Sequence, residues 1–179
     1  MCTALLSVFL SGSAWWDLKT GKIPNFWIFL GAAGFITLKF IRGPSGTVGE
    51  FAAETGSFLF RITFFTAVFF VLFLFRMMGA GDIKVMALIG GYLGISKGFS
   101  VIFCGLAAAS VWSFFTMIQK GIFKKRMYYF FNYVGRSMET RAVTPYYRAE
   151  WDGGEAGFCF VPFLWGGFLL WLAGQGGMG

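Results

Sequence analysis

Six apolar segments restrict what this chain can fold into. They cover residues 3–16, 26–41, 57–75, 83–95, 99–118 and 157–173. Apolar residue types make up 57% of the 179 residues and charged types only 13%, which is not the composition of a water-soluble domain. The segments predict an all-α, polytopic membrane bundle of about six transmembrane helices, forming one domain over residues 1–179. The first and fourth segments are shorter than the roughly 20 residues that a straight span requires.

The basic residues divide unevenly between alternate loops and predict the orientation of the chain. One side of the membrane receives 11 of the 15 Lys and Arg residues, and the other side receives 4. By the positive-inside rule the richer side is cytoplasmic, which places both termini outside. The longest polar stretch, 119–156, lies on the cytoplasmic side, and residues 123–131 interleave basic and aromatic types as interfacial segments do. We therefore expect the excess positive charge to contact anionic lipid headgroups rather than nucleic acid.

The sequence lacks certain side chains, which limits the catalytic mechanisms and metal sites that are possible. Histidine is absent, which excludes Ser-His and Cys-His catalysis and zinc sites of the HExxH type. The three cysteines, Cys2, Cys104 and Cys159, have no CxxC spacing, so the sequence supports neither a zinc ribbon nor a disulfide framework. We expect no metal and no cofactor. The carboxylates are then the main candidates for catalytic groups.

Two aspartates adjoin apolar segments at their predicted cytoplasmic ends. Asp17 follows the first segment, and Asp82 precedes the fourth. A carboxylate at mid-bilayer costs about 2.5 to 3.5 kcal/mol, so carboxylates drawn toward the membrane indicate a paired, hydrated site. Two neighbouring carboxyl groups in a low dielectric do not both ionise easily, so one keeps its proton while the other takes a proton from water. This is the chemistry of an aspartic protease dyad.

The residues around Asp82 allow more than one interpretation. Gly79 and Gly81 allow positive φ angles and the close approach of an extended substrate strand, but they also fit a plain turn with Asp82 as the N-cap of the next helix. Because a helix N-terminus stabilises an anion, Asp82 is the expected ionised member of the pair and Asp17 the proton holder. Lys84 is a candidate to tune Asp82, to bind a lipid headgroup or to meet a substrate carbonyl. The alternative is an ordinary cytoplasmic anchor charge.

Three short motifs resemble those of a known family. Residues 79–84 (GAGDIK) match the GxGDxK motif of the prepilin peptidases, and residues 17–25 (DLKTGKIPN) resemble the first-aspartate segment of the same family. Residues 159–163 (CFVPF) resemble the Pro-containing start of its closing segment. On these motifs the chain resembles a small type IV prepilin peptidase, of the kind found with Tad or related pilus systems.

The resemblance implies an activity, a place and a partner. It implies a membrane aspartic endopeptidase that removes the basic leader of prepilin or pilin-like proteins at the cytoplasmic face of a bacterial or archaeal membrane. Asp17 and Asp82 are the implied catalytic pair, and a prepilin-like membrane protein is the implied substrate. Larger relatives carry a methyltransferase region after the first helix. Only residues 19–25 join the first two segments here, so we do not expect methylation of the new N-terminus.

The charge of the cytoplasmic side raises a question about the substrate. Its basic and acidic residues sum to +5, so a basic leader meets a face of its own sign. Glu150, Asp152 and Glu155, just before the last apolar segment, are candidate contacts for the leader, and a solvated loop is the alternative.

Two other functions fit parts of the pattern. An intramembrane protease of the presenilin or signal-peptide-peptidase type shares a GxGD motif but cuts within the bilayer. Because polar residues follow Asp17 at once, cleavage at the membrane edge is favoured. The second alternative is a small transporter or pilus assembly factor in which the two aspartates bind a cation or a proton.

Overall fold

The computed structural model describes residues 2–42, 48–75, 78–119, 121, 128 and 159–176. Within these ranges the secondary structure is helical, without strands, as the apolar segments predicted. The described ranges contain six complete helices in this order: α1 (Cys2–Thr20), α2 (Asn25–Arg42), α3 (Val48–Leu74), α4 (Ala80–Leu93), α5 (Ile95–Gln119) and α6 (Val161–Gly176).

Helices α3 and α5 begin four or more residues before their apolar segments. Helix α3 begins at Val48 rather than at residue 57, so Glu50 and Glu54, which precede the apolar segment, are helical. Glu50 lies in the first turn, where the helix dipole favours a negative charge. Helix α5 begins directly after Gly94, whose φ of 85° ends α4. The expected loop at 96–98 is therefore helical, because a single glycine in the left-handed region suffices to separate the two helices.

In the part of the chain that the structure describes, two helices could cross a membrane by their length and composition. They are Gly49–Leu74, which lies within α3, and α5. Helix α1 has 19 residues and α4 has 14, so α4 remains shorter than the roughly 20 residues of a straight span. The six-span topology and the outside position of both termini stay predictions.

The chain divides into two compact units. The first comprises Met1–Ala108 with Cys159–Gly179, and the second comprises Ala109–Phe158. In the second unit the structure describes the last part of α5 together with residues 121 and 128. The prediction of one domain over 1–179 is not tested by this division.

Helix α4 lies at the centre of the first unit. Residues 85–92 are buried in succession, and α4 contacts α1, α2, α3 and α6. Several of the largest fully buried side chains surround or belong to it: Phe58, Phe65, Phe168, Leu6, Leu10, Met86 and Leu88. Between helices of a membrane bundle, such side chains stabilise the association through close van der Waals packing. The packing therefore fixes α4, and with it the helix end that carries Asp82.

Two hydrogen bonds tie α2 to its neighbours. The Tyr92 hydroxyl donates to the Gly31 carbonyl at 2.6 Å and so joins α4 to α2. The Trp27 indole N–H donates to Ser13 Oγ at 3.0 Å and so joins α2 to α1. Both bonds connect helices of the first unit that carry or flank the two aspartates.

Helices α5 and α6 approach closely at two glycines. A Cβ placed on Gly167 would lie 2.6 Å from the Gly105 nitrogen and 2.9 Å from the Val101 carbonyl oxygen. No side chain fits between the two backbones at this point. Helix α6 also packs along α1, the helix that carries Asp17, so the position of α6 affects the surroundings of Asp17.

Candidate active site

Asp17 lies on the buried face of α1. The buried residues of this helix recur every three or four positions: Leu6, Phe9, Leu10, Ser13, Ala14 and Asp17. Asp17 is the last of them and is only 6% exposed. The next five residues, 18–22, are all exposed. The carboxyl group thus sits inside the packed unit, one turn from the exposed end of its helix.

The N-terminus of α6 supplies hydrogen-bond donors to Asp17. The Val161 N–H donates to Asp17 Oδ2 at 3.2 Å, and the neighbouring Phe160 N–H also lowers the pKa of this carboxyl group. The carbonyl of Phe160 accepts the first bond of α6, from Phe163 N at 3.0 Å, so Phe160 is the N-cap and Val161 the first helical residue. The N–H groups of a first turn have no acceptor within their own helix. Asp17 supplies that acceptor from α1.

Cys159 extends this contact. Its thiol donates to the backbone carbonyl oxygen of Asp17 at 3.4 Å. The segment 159–161 therefore contacts both the main chain and the side chain of Asp17.

Asp82 lies in the first turn of α4 and folds back toward the helix start. The N-cap is Gly79, with φ −73° and ψ 147°, and it has no side chain to cap the helix. A Cβ on Gly79 would lie 3.2 Å from Asp82 Oδ2, so the carboxyl group lies beside the Gly79 backbone, whose N–H lowers its pKa. The arrangement is similar to the return half of a capping box, in which the side chain of the third helical residue reaches back to the N-cap. The alternative that Asp82 itself is the N-cap is wrong.

The two carboxyl groups interact through space. Both aspartates lie outside the apolar segments 3–16 and 83–95. Burial, and after it the charge of Asp17, raises the pKa of Asp82 to about 6. Burial also raises the pKa of Asp17, against the lowering effect of the Val161 and Phe160 N–H groups. The fold thus brings together two acids that are far apart along the chain.

The two glycines of the motif do not use positive φ. Gly79 is extended, and Gly81 is helical and absent from the positive-φ glycines of the described chain. The expectation that these glycines supply left-handed backbone is therefore wrong. Gly79 leaves room for the Asp82 carboxyl. A Cβ on Gly81 would lie 3.5 Å from the Ile23 side chain, which is ordinary contact with the α1–α2 connection.

Lys84 has a defined partner. It is exposed, and its Nζ donates to Asn25 Oδ1 at 2.6 Å. The contact ties the first turns of α4 to the first residue of α2. Asn25, expected only to begin the second helix, thus also binds the motif lysine.

Several predicted features lie outside the described residues. They are the three candidate leader contacts, Glu150, Asp152 and Glu155, and nearly all of the interfacial segment 123–131. Among the residues that the structure does describe, no three potential metal ligands of the His, Cys, Asp or Glu type form a group.

A comparison with models of protein families shows which family the chain belongs to. The model of the type IV leader peptidase family matches residues 4–118. The chain belongs to this family. The matched residues include Asp17, Asp82 and the 79–84 motif, so the resemblance predicted from the sequence is confirmed. No curated protein and no solved structure matches the chain.

Membership identifies this leader peptidase as a protease, and hence a hydrolase, of a membrane-embedded family. The family match ends before α6, so the donors at Phe160 and Val161 lie beyond it. Sequence reasoning did not include these donors because they are backbone groups and leave no residue-type signal. Pro162 was the available hint, since proline favours the first turn of a helix, where free N–H groups collect.

Proposed function

We propose that this leader peptidase is an aspartic endopeptidase that removes the basic leader of prepilin-like proteins at the cytoplasmic face of a bacterial or archaeal membrane. Family membership supports leader processing. Asp17 lies on α1 and Asp82 in the first turn of α4, two helices that contact each other, and the charge of Asp17 raises the pKa of Asp82. This placement supports the aspartic type and carries the proposal.

A pair that shares one proton can hydrolyse a peptide bond without any other group. The ionised carboxylate takes a proton from a water molecule, whose oxygen attacks the scissile carbonyl carbon while the protonated carboxyl gives its proton to the carbonyl oxygen. In the second step the C–N bond breaks. The amine nitrogen takes the proton held by the first carboxyl, and the second carboxyl regains a proton from the tetrahedral intermediate. Both aspartates return to their starting state, and one water has been consumed.

The position of the pair supports cleavage at the membrane edge. Asp17 is buried in protein, but the next residues, from Leu18 to Lys22, are exposed. Lys19 lies 4.5 Å from the centre of the Trp15 ring, an arrangement that suits an interfacial helix end. Water and an extended substrate therefore reach the pair from the helix ends. This access favours leader cleavage over the presenilin-type alternative of cleavage within the bilayer.

The leader is proposed to bind the acidic residues that precede α6. Glu150, Asp152 and Glu155 offer the negative charge that a basic leader requires on a face of +5. Reversal of these three charges should raise KM for a basic substrate. Unchanged KM would remove this part of the proposal.

Peptide cleavage by the full chain tests the proposal. The protein is purified in nanodiscs that contain anionic lipid and is given a peptide with a basic leader, a glycine and an apolar run, and the products are identified by mass spectrometry. We expect one cut at the junction of leader and apolar run. Asp17→Asn and Asp82→Asn should each reduce cleavage to the uncatalysed background, because neither variant can share a proton across the pair.

Glu54→Gln is the matched control. Glu54 is an exposed carboxylate of α3 that pairs with Lys39 at 3.0 Å, and its neutralisation should leave cleavage unchanged. A cut inside the apolar run would favour the presenilin-type alternative. No cleavage, together with cation or proton flux lost in both aspartate variants, would favour the transporter.

A further inference from the structure

The pair is not symmetric in its hydrogen bonding. The carboxyl group of Asp17 accepts a hydrogen bond from the Val161 N–H of another helix at 3.2 Å, and the Phe160 N–H also lowers its pKa. For Asp82 the corresponding backbone group is the N–H of Gly79, at the start of its own helix. Hydrogen bonds to the charged form favour that form, and a helix N-terminus adds its dipole. Asp17 is therefore the better-stabilised anion.

We infer that the N-terminal turn of α6 is a positioning element that keeps Asp17 ionised and aimed at the attacking water, which leaves Asp82 to hold the shared proton. The inference rests on the proposed function and assigns the roles within it. It reverses the expectation that Asp82, as the acid at a helix start, is the ionised member. The donors of α6 decide the matter, and the sequence motif around Asp82 does not contain them.

The surroundings of Asp17 are consistent with this division of roles. Helices α2, α4 and α6 pack against α1. Of the charged or titratable groups described on them, Asp82 and Cys159 interact with Asp17. Lys84 donates to Asn25. The anion at Asp17 is thus held mainly by backbone N–H groups rather than by a described lysine.

Val161→Pro removes the principal donor with little other change. Val161 is the first helical residue, where proline's fixed φ is accepted and its N–H is not used within the helix. The preceding Phe160 is not helical, as a residue before proline prefers. Val161→Ala is the control, because it shortens the same buried side chain and keeps the N–H.

The pH profile of peptide cleavage is the first readout. The plot of kcat/KM against pH falls at low pH with an apparent pKa, and Val161→Pro should raise this pKa by about one unit because the donor is lost. At a given pH on this acid limb, the variant should then be roughly tenfold less active. Val161→Ala should leave the acid limb where it is in the wild type. A uniform loss of activity, with the acid limb unmoved in Val161→Pro, would mean a structural role only and would overturn the inference.

Amide hydrogen exchange is the second readout, and it needs neither activity nor a substitution at residue 161. In the full-length protein, exchange at the Val161 amide should become at least about tenfold faster in Asp17→Ala, because its acceptor is gone. Unchanged exchange would overturn the inference even if Val161→Pro failed to fold. Faster exchange in Asp17→Ala, together with a wild-type protein that cleaves no leader peptide, would instead retain the contact and reject the proposed function.

Discussion

Gly167→Ala tests how tightly α6 is held against α5. The new Cβ would lie 2.6 Å from the Gly105 nitrogen, 2.9 Å from the Val101 carbonyl oxygen and 3.0 Å from the Gly105 Cα. All three are backbone atoms and cannot rotate away. Ordinary contact begins at 3.4 Å, so the two helices must separate by about 0.8 Å.

The expected change in the free energy of unfolding is the sum of two opposing effects. Overpacking a close contact costs roughly 1 to 3 kcal/mol, and alanine regains up to about 1 kcal/mol of helix propensity over glycine. The free energy of unfolding should therefore fall by up to about 2 kcal/mol. Since α6 also carries the donors to Asp17, peptide cleavage should slow as well.

The neighbouring glycine provides the control. A Cβ on Gly166 would meet nothing within 4 Å, so Gly166→Ala should raise the unfolding free energy by about 0.5 to 1 kcal/mol. Both variants and the wild type are unfolded reversibly in mixed micelles by titration with a denaturing detergent. If Gly167→Ala were as stable as Gly166→Ala, the close approach of α5 and α6 would be refuted.

Four further substitutions test the buried charge of Asp82 and two hydrogen bonds between helices. Because the pKa of Asp82 is raised from 3.8 to about 6, its charge destabilises the fold, and this cost sets in as pH rises through that window. Asp82→Asn should then raise the unfolding free energy by about 1 to 3 kcal/mol at pH 7.5 but not at pH 3.5, and equal effects at both pH values would contradict the burial. Lys84→Met and Asn25→Leu should each destabilise by about 0.5 to 1 kcal/mol and be non-additive when combined, whereas additive losses would mean that their 2.6 Å bond contributes nothing. Tyr92→Phe should lower the unfolding free energy by about 0.5 to 1.5 kcal/mol through loss of its bond to Gly31, and unchanged stability would show that bond to be unimportant.

The helical class and the order of the helices could be predicted from apolar segment length alone, because only helices and closed barrels satisfy backbone groups in lipid. Helix ends were less predictable. Glu50 and Glu54 carry charge and were assigned to a loop, yet nothing in their backbone preference opposes a helix. Gly94 separates α4 from α5 without any polar loop, so hydropathy gave no indication of so short a break.

The residues of the candidate site, like the helix ends, could be predicted only in part from the sequence. Asp17 and Asp82 stood out because carboxylates beside apolar segments are costly and rare. The spacing of buried residues on α1, from Phe9 through Ser13 to Asp17, was present in the sequence as well. The donors of Val161 were not, because backbone N–H groups are provided by every residue type and only the fold places them. For this reason the sequence alone led to the expectation that Asp82 is the anion, which the inference from the α6 donors reverses.

The most direct test of the account compares peptide cleavage by four proteins: the wild type, Asp17→Asn, Asp82→Asn and the double variant. Residues that act as one catalytic unit are non-additive, so each single variant should already fall to the level of the double variant. If either single variant kept substantial activity, with the double variant lower still by the product of the two effects, Asp17 and Asp82 would not form a catalytic pair.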